Sequence, residues 1–387
     1  MKTLTTTEAL AAFCTEAAQA PYVTIDTEFL RERTYYAKLC LLQLAIPGAT
    51  GPDGEAVLVD PLAEGLSLDP LYQLFRNTNV VKVFHAARQD LEIFFIEGKV
   101  FPEPLFDTQV AAMVCGFGEQ VGYETLVRKI AKANLDKTSR FTDWSRRPLS
   151  EAQKVYALAD VTHLRVIYEY LAAELDRTGR AKWLHEELGV LTDPETYIVR
   201  PSEAWERVKT RTNSGKFLAV VRELARFREG YAQSRNIPRS RVYKDDALLE
   251  LASTRPQNLE ELSRARLLLR EARRGEIAEG IIAAVKVAHE TPPEDYPKLS
   301  GTNAKLQVNP ALADLLRVLL KAKSEETGVA QKLIATASDL DLIAAGERDV
   351  PALRGWRREV FGEDALRLCS GKIALAAKGS NVEVVTL

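Results

Sequence analysis

The sequence predicts an α/β domain, a mixed sheet flanked by helices, followed by two small all-α domains. Three observations carry this reading. Near the N-terminus, three runs of β-branched and aliphatic residues follow one another with short connections, the pattern of an antiparallel meander. From residue 80 onward, strand-like runs alternate with helical periodicity, as in βα units. Past residue 190 the strand signals vanish, and two proline-bounded stretches, Asp193–Pro201 and Thr291–Pro310, punctuate the rest of the chain. At 387 residues, with 46% hydrophobic and 27% charged content, the chain is ordinary in composition but too long for one core. The expected domains are residues 1–200, 207–291 and 308–380.

Taken in order, Thr5 to Ala20 has the spacing of an amphipathic helix, with Thr6 or Thr7 placed to cap it and Pro21 to stop it. Val23–Leu30 reads as a strand, Ala37–Ile46 as a second, and Ala56–Asp60 as a third closed by Pro61. Pro70–Arg76 is a short helix, Val80–Phe84 a strand and Ala86–Ile96 a helix. Phe106–Thr108 leads into a helix through Val114, Tyr123–Ala133 is helical, and Leu149–Leu175 is the longest helix of this half. Asn213–Glu290 reads as a small helical domain. Ala311 to about Gly379 repeats its plan, with Ser338–Ala344 echoing Lys244–Leu251.

A net charge of −2 is an average that can hide opposite local charges, so it excludes no partner class. Cys14, Cys40, Cys115 and Cys369 form neither a zinc pattern nor a disulfide framework, which suits a reducing cytoplasm. The N-terminus carries one lysine, and Glu8 and Glu16 interrupt its apolar residues, so a signal peptide is not expected. No run is long enough to span a bilayer, so no membrane partner is expected.

The chemistry-bearing stretch is Val23–Leu30. Residues i and i+2 of a strand point to one face, so Asp26 and Glu28 project together, close enough to share a hard cation. Two anions on a strand that begins buried need a partner. A strand emerging into solvent, with Arg31 or Arg33 answering Glu28, would also explain the pair if it stood alone. It does not. Tyr156 and Asp160 are four residues apart on the long helix and share one face. Asp90 lies on the first turns of a helix after a strand, where the helix dipole alone would favour a carboxylate. His85 ends that strand, where it could contact substrate or simply pack.

Together these pieces resemble the DEDD superfamily of 3′→5′ exonucleases, in its tyrosine-bearing branch. The wording is closer still to the bacterial ribonuclease D family: Asp26-Thr27-Glu28-Phe29 with Arg33-Thr34-Tyr35-Tyr36, Phe106-Asp107-Thr108-Gln109, Leu135-Asp136-Lys137, Thr142-Asp143-Trp144, and Arg147-Pro148-Leu149. The resemblance covers about residues 1–200. It departs at Arg140-Phe141-Thr142, which touches no expected ligand. It implies a ribonuclease H-like fold, metal ligands at Asp26, Glu28, Asp90 and Asp160, and a water-positioning role for Tyr156. Carboxylates without cysteine partners suit Mg²⁺ or Mn²⁺, and two such ions clamp the attacking and leaving oxygens of an in-line displacement. A phenol, ordinarily titrating near pH 10, is a poor bulk base but can orient a water. His85 and Gln89 beside the third ligand, and Phe29 and Leu30 just after the first pair, are expected contacts for the terminal nucleotide.

From Arg207 to Lys244, eleven Lys and Arg face only Glu223 and Glu229, a local charge of +9. Such a stripe beside an exonuclease reads as a phosphate track, with Arg222, Arg226 and Arg228 at its centre. Ile237–Ala252 followed by Arg255–Leu262 resembles the helicase-and-RNase-D C-terminal domain. The expected function is therefore metal-dependent 3′→5′ trimming of RNA by a monomer, with tRNA precursors bearing 3′ extensions as partners and nucleoside 5′-monophosphates as products. A DNA-directed exonuclease would use the same site. A nucleic-acid-binding protein with a dead nuclease fold is the opposing class, and five intact site residues argue against it.

Overall fold

Strand β1, Lys2–Leu4, opens the chain and is only three residues long, too short for periodicity to reveal. Thr6 then caps helix α1, Thr7–Ala17, accepting from the Ala9 N–H at 3.2 Å. Strands β2 (Tyr22–Leu30), β3 (Lys38–Ala45) and β4 (Ala56–Val59) lie where the apolar runs place them. Helix α2, Asp69–Phe75, precedes the alternating part: β5 Val81–Phe84, α3 Arg88–Gly98, β6 Leu105–Asp107 and α4 Thr108–Val114. The computed structural model describes residues 1–49, 51, 53–136, 142–298 and 307–387. The Lys137 and Arg140–Phe141 positions of the sequence motifs, and part of the Thr291–Pro310 linker, lie outside the described residues.

The sheet order is β1-β4-β3-β2-β5-β6. Strands β3 and β4 pair antiparallel, while β5 runs parallel to both β2 and β6 and β1 runs parallel to β4. The sheet is therefore mixed, as expected, and the adjacency of β2, β3 and β4 follows the meander. Helix α5, Tyr123–Leu126, continues as a wider turn through Ala131. Helix α6, Glu151–Thr178, starts at a Ser150/Gln153 capping box and ends where Gly179 turns left-handed at φ 69°. Two hydrogen-bonding side chains bolt α6 across the sheet. Thr24 Oγ1 donates to the Val161 carbonyl at 2.9 Å, and buried Arg165 donates to the Ile46 and Gly54 carbonyls at 2.7 and 2.9 Å. A buried guanidinium left without those acceptors would be costly, so the register of α6 over β2 is tightly specified.

The described chain gathers into two compact units: Met1–Glu28, Cys40–Thr196 and Ala304–Leu387 form the first, Phe29–Leu39 and Tyr197–Asn303 the second. The C-terminal helices thus belong with the sheet. After helix α7, Ala181–Gly189, the rings of Trp183 and Trp356 stack with centroids 4.9 Å apart. Arg357 pairs with Glu187 at 2.6 Å, and Arg180 donates to both the Val114 and Thr327 carbonyls. Gly116, at φ 86°, permits the close approach of this region: a Cβ there would lie 2.9 Å from the Gly328 oxygen. The C-terminal module is helical as far as Cys369 and then closes with an antiparallel hairpin, Ile373–Lys378 with Asn381–Thr386, which the sequence did not announce. Among the described residues, no helix is long and apolar enough to cross a membrane.

In the second unit, helix α8, Gly215–Ser234, packs Leu218, Val221 and Leu224 against Leu248, Leu251 and Ile281. The basic stripe is not the uniform surface its charge suggests, and Arg228 is a correction. It is buried, donating to Asp245 at 2.7 Å and to the Tyr243 carbonyl at 3.2 Å. Arg222 and Arg226 both reach buried Glu223, at 2.9 and 3.2 Å. Buried Glu223 and Glu229 thus pair with part of the stripe, while the Arg226 and Arg239 side chains stay 55% and 42% exposed.

Candidate active site

Strand β2 delivers the first two carboxylates. Tyr22 to Ile25 are buried, and the strand reaches the site with Asp26 and Glu28 half-buried on one face. Helix α6, bolted over β2, brings Asp160 to them. One carboxylate oxygen from each of Asp26, Glu28 and Asp160 lies within 4.8 Å of the others. Tyr156, one turn earlier on α6, lines the same cleft of about 280 Å³, together with His85 and Tyr123.

Asp90 is not in that set of three. It is buried on the first turn of α3, and the Thr27 hydroxyl, from the opposite face of β2, donates to its Oδ1. Asp26 is close enough for its charge to matter. Burial raises the Asp90 carboxyl well above its usual range, and the Asp26 charge adds to that. Burial likewise pushes Asp26 up to about 7, against the pull of the Thr27 backbone hydrogen bond. Crowded, dehydrated carboxyls retain protons unless cations replace them. An all-oxygen donor set of this kind fits a hard divalent cation.

Of the expected nucleotide contacts, His85 lines the cleft. Its Nδ1 lies 3.0 Å from Thr108 Oγ1, whose own proton goes to the Phe84 carbonyl. Burial lowers the imidazole's proton affinity, against the pull of Asp107. Gln89 is exposed on α3 and is not a lining residue, and Phe29 and Leu30 belong to the second unit.

Several residues at the site carry roles that sequence did not reveal. The Tyr123 hydroxyl donates to the backbone carbonyl of Asp160 at 2.6 Å, tying α5 to the turn that presents the carboxylate. Trp144 is buried with its ring centroid 6.1 Å from that of Tyr156. Arg147 anchors the Trp144 turn: it donates to the Trp144 carbonyl, to the Cys40 carbonyl, and through two nitrogens to Asp60 at 2.6 and 2.7 Å. Burial alone would raise the Asp60 carboxyl, but hydrogen bonds from Arg147 and the Leu62 N–H hold it below its usual range.

Asp107 is a structural keystone. Its carboxylate accepts from the N–H groups of Ala86, Ala87 and Gln109 at 3.0, 2.8 and 2.7 Å, capping α4 and holding the left-handed turn at Ala86 that comes after His85. Asp107→Ala leaves those donors orphaned and is expected to cost roughly 2–4 kcal/mol. Urea unfolding followed by tryptophan fluorescence checks this, and an unshifted midpoint refutes the assignment.

The chain is similar to known proteins along nearly its whole length. Residues 1–176 match the family model described as 3′-5′ exonuclease, and residues 217–285 match that of the HRDC domain. The chain is 66% identical over 383 residues to ribonuclease D of Jannaschia sp. (strain CCS1), covering 99% of each. It is 49% identical over 385 residues to ribonuclease D of Granulibacter bethesdensis (strain ATCC BAA-1260 / CGDNIH1), covering 99% of this chain and 96% of that one. Among solved structures, Escherichia coli RNase D, described as an exoribonuclease involved in structured RNA processing, superposes with a TM-score of 0.81. The two share 28% identity over 96% of this chain and 98% of that one.

Proposed function

The chain belongs to the ribonuclease D family, whose activity is 3′→5′ exoribonuclease hydrolysis, and from that premise we propose that it trims 3′ extensions from tRNA precursors in the cytoplasm as a monomer. The observation that carries the site assignment is the triad Asp26, Glu28 and Asp160 beside Tyr156 in one cleft. The family's exonuclease domain depends on divalent metal. In our reading Asp26, Glu28, Asp90 and Asp160 hold two ions, Mg²⁺ or Mn²⁺. Bound there, such ions supply Lewis-acid stabilisation of the charge that develops on the attacking and leaving oxygens.

The protein's own groups do the rest. Tyr156, fixed one helical turn before Asp160 and packed on Trp144, orients the attacking water toward the last phosphodiester. The P–O3′ bond breaks, releasing a nucleoside 5′-monophosphate and leaving a new 3′-hydroxyl on the shortened RNA. His85, fixed by Thr108, contacts the terminal nucleotide. We assign Phe29, Leu30 and Gln89 the same supporting role for substrate, outside the cleft itself.

The second unit contributes phosphate contacts through its exposed cations. Arg226, whose side chain is 55% exposed, fits that role better than buried Arg228. Arg226→Ala is expected to leave stability within about 1 kcal/mol and to reduce the log–log salt slope of RNA binding by roughly 0.7–0.9. Arg228→Glu, which sets an uncompensated anion beside Asp245, is expected to destabilise by roughly 3–5 kcal/mol. Equal stability of the two variants would reverse their assignments.

The substrate reading is tested with a 3′-extended tRNA, a single-stranded RNA and a single-stranded DNA, each with and without Mg²⁺. One-nucleotide ladders on both RNAs in Mg²⁺, fastest on the tRNA tail, are expected. Preference for DNA would overturn it.

A further inference from the structure

Helix α8 ends in a turn with an unusual second duty. After Ser234, Arg235 is still right-handed, and Asn236 adopts the left-handed conformation at φ 48°. The Asn236 N–H donates to the Gln233 carbonyl at 3.2 Å and the Ile237 N–H to the Ala232 carbonyl at 3.0 Å, which closes the helix. Glycine is the residue most at ease there, and asparagine is among the few side chains that tolerate it. Asparagine adds what glycine lacks. Its Oδ1 accepts from the backbone N–H groups of both Tyr35 and Tyr36, at 3.1 and 3.0 Å.

The same segment is gripped at the tyrosine ring. The Tyr35 hydroxyl donates to buried Glu229 and accepts from Gln233 Nε2 at 3.2 Å. Gln233 Nε2 is itself 2.8 Å from the Val199 carbonyl. The Arg239 guanidinium lies 5.5 Å from the Tyr35 ring centre, with Nε 2.8 Å from Glu229. Thr34 Oγ1 closes the turn on the Tyr36 carbonyl at 2.6 Å. All of these groups lie in the second unit, which includes Phe29–Leu39.

That segment is the direct continuation of the metal-site strand. Strand β2 runs two residues past Glu28 to Leu30, and the chain re-enters the sheet at Lys38. This connection is held by two backbone N–H groups donating to Asn236 and by side-chain bonds at the Tyr35 hydroxyl. We propose that Asn236 is a positioning residue of the exonuclease reaction: by pinning Tyr35 and Tyr36 it fixes the exit of β2, and so the seating of Glu28 and Asp26. The role rests on the exonuclease reading. Its chemical basis is that displacing a reacting or metal-binding group by about 1 Å costs up to about a hundredfold in rate.

Two variants of the full chain separate backbone from side chain. Asn236→Gly keeps the left-handed turn and removes the oxygen, whereas Asn236→Asp keeps both. Hydrogen exchange at the Tyr35 and Tyr36 amides is measured beside kcat and KM on single-stranded RNA in Mg²⁺. For Asn236→Gly, faster exchange is expected together with a kcat lowered about ten- to a hundredfold and a KM within about twofold of wild type. Asn236→Asp should restore both readouts. Unchanged exchange, or faster exchange with an unchanged kcat, overturns the proposal. A rise in KM alone also overturns it, since Asn236 would then serve substrate binding. A wild-type chain that gives no ladder overturns the exonuclease reading itself, and this role for Asn236 with it.

Discussion

Asp26→Asn is expected to abolish cleavage, lowering turnover by at least about a thousandfold in saturating Mg²⁺ while RNA still binds. The amide keeps the shape of the carboxylate and removes its charge. In a cluster where oxygens of Asp26, Glu28 and Asp160 lie within 4.8 Å of one another, that charge is what a dication is held by. Asp160→Asn should behave alike, because α6 is locked over β2 by Thr24 and Arg165 and cannot slide to compensate. Asp90→Asn is the more searching case. Asp90 stands outside the triad with one oxygen occupied by Thr27, so an equal loss identifies it as a ligand in the metal-loaded enzyme, whereas a milder loss makes it a support of β2. Single-turnover cleavage with filter binding on the same RNA reads out all three variants. A near-normal rate for Asp26→Asn sinks the metal-site assignment.

The parts of this site that sequence makes legible are those whose geometry is local. Asp26 and Glu28 are two apart on a strand, and Tyr156 and Asp160 four apart on a helix, so period alone puts each pair on one face. What stays hidden depends on partners distant along the chain. Asp107 reads as part of a motif, but its partners include Ala86 and Ala87, about twenty residues back. Arg147 reads as a family residue, and its work is done at Asp60 and Cys40. Tyr123 stands in a plain helical stretch, with nothing nearby to show that its hydroxyl seeks the Asp160 carbonyl.

The arginine stripe is only partly legible in sequence, for a related reason. A count of charge is blind to burial, and Glu223 and Glu229 are inside the unit with cations drawn toward them. The C-terminal module shows the same limit. Its echo of the preceding helical domain speaks to its internal plan, while its stacking of Trp356 on Trp183 is a tertiary fact. Strand β1 escaped because three residues cannot establish a period.

Tyr156→Phe is expected to lower kcat by about a hundredfold or more while leaving KM within about threefold. The reasoning is again geometric. Trp144 is buried with its ring 6.1 Å from that of Tyr156, at an interplanar angle of 33°, and Arg147 fixes the turn that carries it. Phenylalanine keeps that ring contact and the helix, so only the hydroxyl is lost. An interaction needed to orient water in the transition state appears in kcat, whereas one made equally to bound substrate appears in KM. Trp144→Ala supplies the contrast. It leaves the hydroxyl in place but removes the surface that aims it, and it opens a core cavity, so it should lower both turnover and thermal stability. Tyr156→Phe should lower turnover alone. Pre-steady-state cleavage of a short RNA, with a thermal melt of each variant, separates the two cases. A Tyr156→Phe enzyme with unchanged turnover and a raised KM would move Tyr156 from water positioning to substrate packing, and the reaction would then have to rely on its carboxylates alone.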